Sequence, residues 1–341
     1  MGMMPLLSSR LKIIGAVALL LNITIFLHYF SYDSSWSRTW LSIADYSAGN
    51  RTLGFESILV VAPNEFPVEL QWRKEGLLKA ASYTKLDLQI PVQPNWTDED
   101  TGKLMAKNKE LKRGYALSWL GHLNALRVAA SKTSSLIVED DVDWDVSILS
   151  QTPPIADGIR KLSGYEPVAN ETESQSPPYG LRWDLLWLGH CGDSIVFNPE
   201  PVSFLDPTVP PFFASWEKTL SPDPQHKRFI HWSAGPICTY AYAVTGKAAQ
   251  SLIERENEHG TQPYDIWLHI LCKNRSLVCI TVNPELFHHH EAAGVKHTLN
   301  NGITEGENEK EFTDNIWHSA RCNSASNGEE LVVCMGEDPR P

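Results

Sequence analysis

The 341-residue chain has a formal net charge of −12, with 42% hydrophobic and 10% aromatic residues. This apolar content is enough for a full hydrophobic core and excludes an intrinsically disordered chain. A mostly negative surface repels nucleic-acid phosphates, so we expect no nucleic-acid partner. Any anionic ligand then needs a local cation.

The N-terminus carries the pattern of a membrane anchor. Arg10 and Lys12 precede an almost unbroken apolar run at 13–30, long enough to span a bilayer as a helix. We favour an uncleaved anchor over a cleavable signal peptide, whose apolar region is usually shorter and ends in small residues. Basic residues before the run predict a cytoplasmic tail at 1–12 and a single-pass type II protein, with everything after residue 30 in the lumen.

Sequons and cysteines agree with a luminal location for the rest of the chain. All six cysteines follow the anchor, in a compartment that would allow disulfides. Many pairings are possible, and only Cys272 with Cys279 and Cys322 with Cys334 are close along the chain. The N-glycosylation sequons after the anchor begin at Asn50, Asn95, Asn170 and Asn274.

Beyond the anchor, we predict a luminal stem at residues 31–54 and one globular domain at residues 55–300. Helices that alternate with buried strands are typical of an α/β fold. Residues 151–180, rich in Pro, Ser and Glu, predict a surface loop, and 301–341 predict an acidic, polar tail with little to bury. The predicted elements, in order, are a strand at 57–62, a helix at 68–82, a strand at 86–90, a helix capped by Thr97, a helix at 115–130, strands at 135–139 and 183–189, a strand within 237–245, helices at 246–259 and 264–272, and a strand at 277–283.

The most informative stretch is 135–145, where an apolar run ends in five carboxylates. Glu139 and Asp141 have the spacing that places two side chains on one side of an extended chain, as do the later acids of the run. Two such carboxylates can bind Mn²⁺ or Mg²⁺. An edge strand with its acids in water is the alternative. The position after a buried strand, where ligands bind in α/β sheets, favours the metal. The carboxylates of the run are Glu139, Asp140, Asp141, Asp143 and Asp145.

Other polar residues follow the later predicted strands. Asp193 lies after the strand at 183–189 and is either a turn residue or a second carboxylate of the site. Asp265 begins a predicted helix, where an acid is stabilising in any case, yet it could also act as a general base toward an acceptor hydroxyl. One histidine of 288–290 could supply a nitrogen ligand to the metal. The motifs of dinucleotide-binding proteins, P-loop proteins and serine hydrolases are not present in the sequence.

Four ordered motifs lie within roughly 55–290. They are SWLGHLNALR at 118–127, LIVEDDVDW at 136–144, WDLLWLG at 183–189 and TYAYAVTGKAAQSLI at 239–253. Taken together, they make the chain similar to glycosyltransferase family 25. The resemblance implies a GT-A-like, Rossmann-type fold that binds a nucleotide sugar, a divalent cation (Mn²⁺, or Mg²⁺) and inverting transfer from a UDP-sugar. The loop after the first strand departs from the family's arginine-bearing loop, and Arg73 is the arginine near it.

The resemblance also implies roles for individual residues. Glu139, Asp140, Asp141 and Arg73 would contact the donor diphosphate and its cation, whose ligands would be Glu139, Asp141 and His290. Asp265 first, and Asp193 second, would be the catalytic base.

The residues and the resemblance together predict a metal-dependent transferase of the Golgi or endoplasmic reticulum membrane. It would move a sugar, galactose being one possibility, from a UDP-sugar to a glycan or glycoprotein. Two alternatives stay open: a sugar-binding module of the same fold without turnover, and a metal-dependent phosphohydrolase.

Overall fold

The computed structural model describes residues 48–165, 177–212, 226–294, 308–326, 328 and 330–337. Within these ranges no helix is long and apolar enough to cross a membrane. The predicted tail and anchor, and the predicted stem up to residue 47, lie outside the described residues.

The core of the fold is an eight-stranded sheet with the strand order β2-β1-β3-β8-β5-β9-β7-β6. Within it, β7 and β8 run opposite to the other strands. The fold is thus mixed α/β with a mostly parallel sheet, compatible with the predicted Rossmann-type class. A smaller antiparallel sheet has the order β11-β10-β4. The strands are β1 Ser57–Val61, β2 Leu88–Gln89, β3 Ser134–Glu139, β4 Val142–Trp144, β5 Leu185–Gly189, β6 Val202–Leu205, β7 Lys227–Trp232, β8 Ala241–Thr245, β9 Cys279–Asn283, β10 Phe287–Glu291 and β11 Phe312–Thr313.

Helices cover both faces of the large sheet, which explains why its central strands are apolar without interruption. On β3, Leu136 and Val138 join one core layer and Ile137 joins the other. The first layer includes residues of α1, α4 and α7, and the second includes residues of α2, α3, α5 and α6. The helices are α1 Gln71–Thr84, α2 Asp98–Met105, α3 Arg113–Ala129, α4 Ile148–Ser163, α5 Gly246–Glu254, α6 Tyr264–Lys273 and α7 Ala320–Ala325.

The predicted loop at 151–180 is wrong in its first part, because α4 is a helix. The prolines Pro153 and Pro154 suggested a loop, yet Ile155 and Ile159 are fully buried against the sheet. Pro153 has no N–H for the carbonyl of Leu149, and the hydroxyl of Thr152 lies 3.5 Å from that oxygen. Packing of the apolar face therefore outweighs the local cost of the prolines.

Both ends of the described chain pack more closely than expected. Ala48 and Leu53, from the predicted stem, are fully buried in the core. The prediction of little burial after residue 300 is wrong for residues around α7, which packs against α1 and β4. Ile316, Ala320 and Cys322 are all buried there.

Three disulfides form among the six cysteines. The sequence-favoured pairs Cys272–Cys279 and Cys322–Cys334 are confirmed. The third disulfide, Cys191–Cys238, joins residues 47 positions apart and was not singled out by the sequence. Three disulfides fit a secreted or luminal protein.

Candidate functional site

The acidic run follows β3 at the edge of the large sheet where the parallel strands end. The end of β5 reaches the same edge, and antiparallel β8 begins there, since Ala241 pairs with Val138 on one side and Gly189 on the other. This is the edge at which α/β proteins bind ligands. Glu139, Asp140 and Asp141 thus lie where the sequence predicted them.

Arg73, on the first turn of α1, lies between two carboxylates of the run. Its Nη1 is 2.9 Å from Asp140 Oδ1 and 3.0 Å from Asp141 Oδ2. Burial and the charge of Asp141 raise the pKa of Asp140 to about 7, although Arg73 opposes the shift. The structure therefore brings together Arg73, Asp140 and Asp141, three of the predicted donor-binding residues. The positive charge of Arg73 compensates the two carboxylates.

Several buried atoms near this cluster make no hydrogen bond, among them Oδ1 of Asp141, Nδ1 of His289 and Nε2 of His122. Burial acts to lower the pKa of His289, but the hydrogen bond and charge of Glu291, together with the charge of Asp141, raise it above its usual value. Buried polar atoms normally have partners. A carboxylate oxygen and an imidazole nitrogen are both atoms that Mn²⁺ binds, and the charge of Asp141 acts on His289, so these two residues could hold a divalent cation.

The predicted ligand His290 is engaged elsewhere. Its Nδ1 lies 2.9 Å from the hydroxyl of Thr313 and 3.7 Å from Asp143, and its Nε2 lies 3.5 Å from Glu311. Successive side chains of a strand point to opposite faces, so His289 and His290 cannot both face Asp141. Of the two, His289 is the histidine with an unpaired ring nitrogen.

Glu139 is held by groups from two other elements. Its Oε1 accepts a 2.7 Å hydrogen bond from Thr239 Oγ1 and lies 3.6 Å from His122 Nε2. His122, on α3, contacts Tyr242 through its other ring nitrogen at 3.0 Å. Burial acts to raise the pKa of Glu139, but His122, Thr239 and Arg73 together lower it. Glu139 is therefore fixed as a carboxylate beside the cluster.

Asp265 begins α6 and reaches the same loop as Glu139. Its Oδ2 accepts a 3.1 Å hydrogen bond from the backbone N–H of Cys238, next to Thr239, which binds Glu139. Burial is the main cause of its raised pKa, and the charge of Glu139 adds to the shift. A carboxylate with a raised pKa is a stronger base, as general-base catalysis requires.

Asp193, the second predicted base, is buried in a network of structural hydrogen bonds. Its Oδ2 accepts from Ser233 Oγ at 3.1 Å, from the Ala234 N–H at 3.2 Å and from Thr281 Oγ1 at 2.7 Å. These bonds tie the loop after β7 to β9. These contacts give Asp193 a structural role, which is to anchor the loop after β7.

The last two acids of the run bind the C-terminal segment and do not face water. Asp143 accepts hydrogen bonds from the hydroxyls of Thr313 and Ser319 and from the N–H of Arg321, while Asp145 accepts from the N–H of His318. Asp143 is fully buried and Asp145 nearly so. The alternative of an edge strand with solvated acids is therefore wrong for both.

Arg321 is a buried cation that sequence reasoning missed. Its guanidinium donates hydrogen bonds to the carbonyls of Val142 at 2.7 Å, Asp140 at 2.9 Å and Arg73 at 3.2 Å. It lies beyond the predicted domain at 55–300, so no sequence pattern paired it with the acidic run. His122 was missed as well, although it stands within the motif at 118–127.

In the part of the chain that the structure describes, no group of three or more His, Cys, Asp or Glu side chains already converges on a metal position. No protein-family model matches the chain, and no curated protein matches it at a significant level. The resemblance to glycosyltransferase family 25 therefore stays a prediction from the motifs.

Proposed function

We propose that this protein is a metal-dependent glycosyltransferase that uses a nucleotide sugar, most simply a UDP-sugar, as the donor. The observation that carries the proposal is the acidic cluster at the ligand-binding edge of an α/β sheet. In that cluster Asp141 and His289 keep buried atoms without partners, and Asp265 has a raised pKa nearby.

The donor diphosphate would approach Arg73 and the carboxylates that follow β3. Asp141 and His289 would hold Mn²⁺ or Mg²⁺, and Glu139, bound by Thr239, lies beside them. When bound, the cation would neutralise charge on the departing nucleoside diphosphate. Arg73 would turn its guanidinium from the carboxylates toward a phosphate, a group that arginine binds well.

Asp265 would accept the proton of an acceptor hydroxyl as that oxygen attacks the anomeric carbon. Direct attack inverts the configuration at that carbon. Its raised pKa matches this role, because a base works best when its pKa approaches the working pH. The acceptor would be a glycan or a glycoprotein.

We further propose that the protein is a single-pass type II protein of the Golgi or endoplasmic reticulum, with residues after 30 in the lumen. The apolar run at 13–30 and the three disulfides support this location.

Cation binding is the first test. The full chain, purified in detergent, is titrated with Mn²⁺ in the presence of UDP, and the loss of the electron paramagnetic resonance signal of free Mn²⁺ measures binding. Asp141→Asn should weaken binding by about tenfold or more, because a neutral amide is a poorer ligand than a carboxylate. The control is Asp98→Asn, whose side chain is 94% exposed and distant in sequence from the cluster. Equal Mn²⁺ affinity in Asp141→Asn and the native chain would refute the metal role.

Transfer is the second test. UDP release is measured from UDP-galactose, UDP-glucose and UDP-N-acetylglucosamine, with a panel of glycans and a deglycosylated glycoprotein as acceptors. Mass spectrometry should find one added sugar on an acceptor. Sugar released only to water would support the phosphohydrolase alternative, and UDP-sugar binding without any release would support the binding module.

A further inference from the structure

The loop between β7 and β8 carries groups that reach both Glu139 and Asp265. The N–H of Cys238 donates to Asp265, and the hydroxyl of the next residue, Thr239, donates to Glu139. Two consecutive residues therefore fix the distance between the proposed base and the first acid of the cluster.

This loop is attached to the end of β5 by a covalent bond. The Cys191–Cys238 disulfide links it to the turn after β5, and the N–H of Cys191 donates a 3.0 Å hydrogen bond to the carbonyl of Ile237. Cys191 Sγ also lies 3.0 Å from the hydroxyl of Tyr240. The attachment thus lies directly beside the residues that contact the two carboxylates.

Cys238 adopts a backbone conformation that side chains rarely allow. Its φ is +68°, in the left-handed region that glycine favours. Such conformations persist where the surrounding structure fixes them, and they cluster at functional sites. Here the disulfide fixes the residue, and the conformation directs its N–H at the Asp265 carboxylate.

We propose that Cys238 and its disulfide to Cys191 are positioning elements of the site, which hold Asp265 and Glu139 in register for transfer. The inference rests on the proposed function for its catalytic consequence, but its structural part can be tested without activity.

The positioning effect should fall mainly on turnover, because Asp141, the proposed carboxylate ligand of the cation, is held by other elements. The loop reaches the second proposed ligand, His289, only through a ring contact with Tyr240, with the ring centroids 4.9 Å apart. Asp141 contacts Arg73 of α1, and its neighbours are held by Arg321 of α7. Neither arginine belongs to the loop between β7 and β8. Opening the Cys191–Cys238 disulfide should therefore alter turnover while leaving Mn²⁺ binding nearly unchanged.

The test compares two double variants of the full chain. In Cys191→Ala/Cys238→Ala, kcat should fall between about 10-fold and 100-fold, as expected when a catalytic group is misplaced by about 1 Å. The KM for the donor and the Mn²⁺ affinity should stay within about twofold. The control, Cys272→Ala/Cys279→Ala, removes the disulfide between α6 and β9, and its kcat should stay close to that of the native chain.

Hydrogen exchange supplies a readout that does not need turnover and that also works on native protein treated with a mild phosphine reductant. Amides of 237–240 should lose protection in the first double variant and keep it in the control. Retained protection after the Cys191–Cys238 disulfide is opened would overturn the proposal, as would a fall in Mn²⁺ affinity equal to the fall in kcat. Loss of protection in a chain that transfers no sugar would instead refute the proposed function and retain the positioning role of the disulfide.

Discussion

Arg321→Met is the substitution that most directly tests how the acidic run is held. Arg321 is only 4% exposed. Its guanidinium donates hydrogen bonds to the carbonyls of Val142, Asp140 and Arg73. Methionine has a similar length but no charge and no donor. The variant therefore leaves two buried carbonyls and one partly buried carbonyl without this partner, and it removes a cation whose charge acts on Asp143.

The expected loss of unfolding free energy is about 3–5 kcal/mol, because the carbonyls lose hydrogen bonds from a charged donor that contribute about 1.5–3 kcal/mol each. A typical domain has about 5–15 kcal/mol in total, so the loss would be a large fraction of the stability. Urea unfolding of the full chain, followed by tryptophan fluorescence, measures the loss as a shift of the midpoint.

A matched control is Arg255→Met, which removes an arginine of an ion pair with Glu258 whose side chains are 29% and 43% exposed. Partly exposed pairs contribute about 0–1 kcal/mol, so this variant should remain close to the native chain. If Arg321→Met lost less than about 1 kcal/mol, or no more than Arg255→Met, the C-terminal segment would not be the support of the acidic run that its contacts imply.

Three further predictions concern groups outside the cation site. Arg228 lowers the pKa of buried Asp206 below its usual value of 3.8, although burial acts to raise it. The pair therefore stabilises the fold above pH 3.8, and this contribution is lost as the pH falls through the lowered pKa. Asp206→Asn should cost about 3–5 kcal/mol at pH 7 and less near pH 3, and a loss that is independent of pH in urea unfolding would contradict this. Removing the Cys322–Cys334 disulfide, which closes a separation of 12 residues, should cost about 2–3 kcal/mol in the same assay, and an unchanged midpoint would count against it. Asp193→Asn should lower stability by about 1–3 kcal/mol and change kcat by less than about tenfold, whereas a fall of about 100-fold or more at unchanged stability would restore Asp193 as the base.

Much of the α/β order was predictable, because the signals were local. The apolar run that forms β3 and the spacing that forms α3 each identify an element without knowledge of its neighbours. Thr97 was predicted to cap a helix, and it forms a capping box with Asp100 at the start of α2. Local signals failed at α4, where Pro153 and Pro154 suggested a loop, since burial of the helix face against the sheet depends on the tertiary structure.

The candidate site was predictable only in its acidic half. The carboxylates are consecutive in the sequence, but their partners are not: Arg73 precedes Asp140 by 67 positions, and Arg321 follows it by 181. The alternation of side chains along β10, which separates His289 from His290, depends on where that strand begins. The sequence analysis predicted no strand at 287–291 and placed the histidines after the last strand, so it had no means of choosing His289 over His290.

The repulsion among the five carboxylates suggested that a metal ion must lie among them, but the fold compensates most of that charge with its own groups. Asp143 and Asp145 bind donors of the C-terminal segment, Asp140 binds Arg73, and Glu139 binds Thr239. Crowding of acids in the sequence is thus no longer an argument for a cation. The argument that remains is that Asp141 and His289 each have a buried atom without a hydrogen-bond partner in the protein. Asp141→Asn, rather than removal of any other acid of the run, therefore decides whether Mn²⁺ binds there.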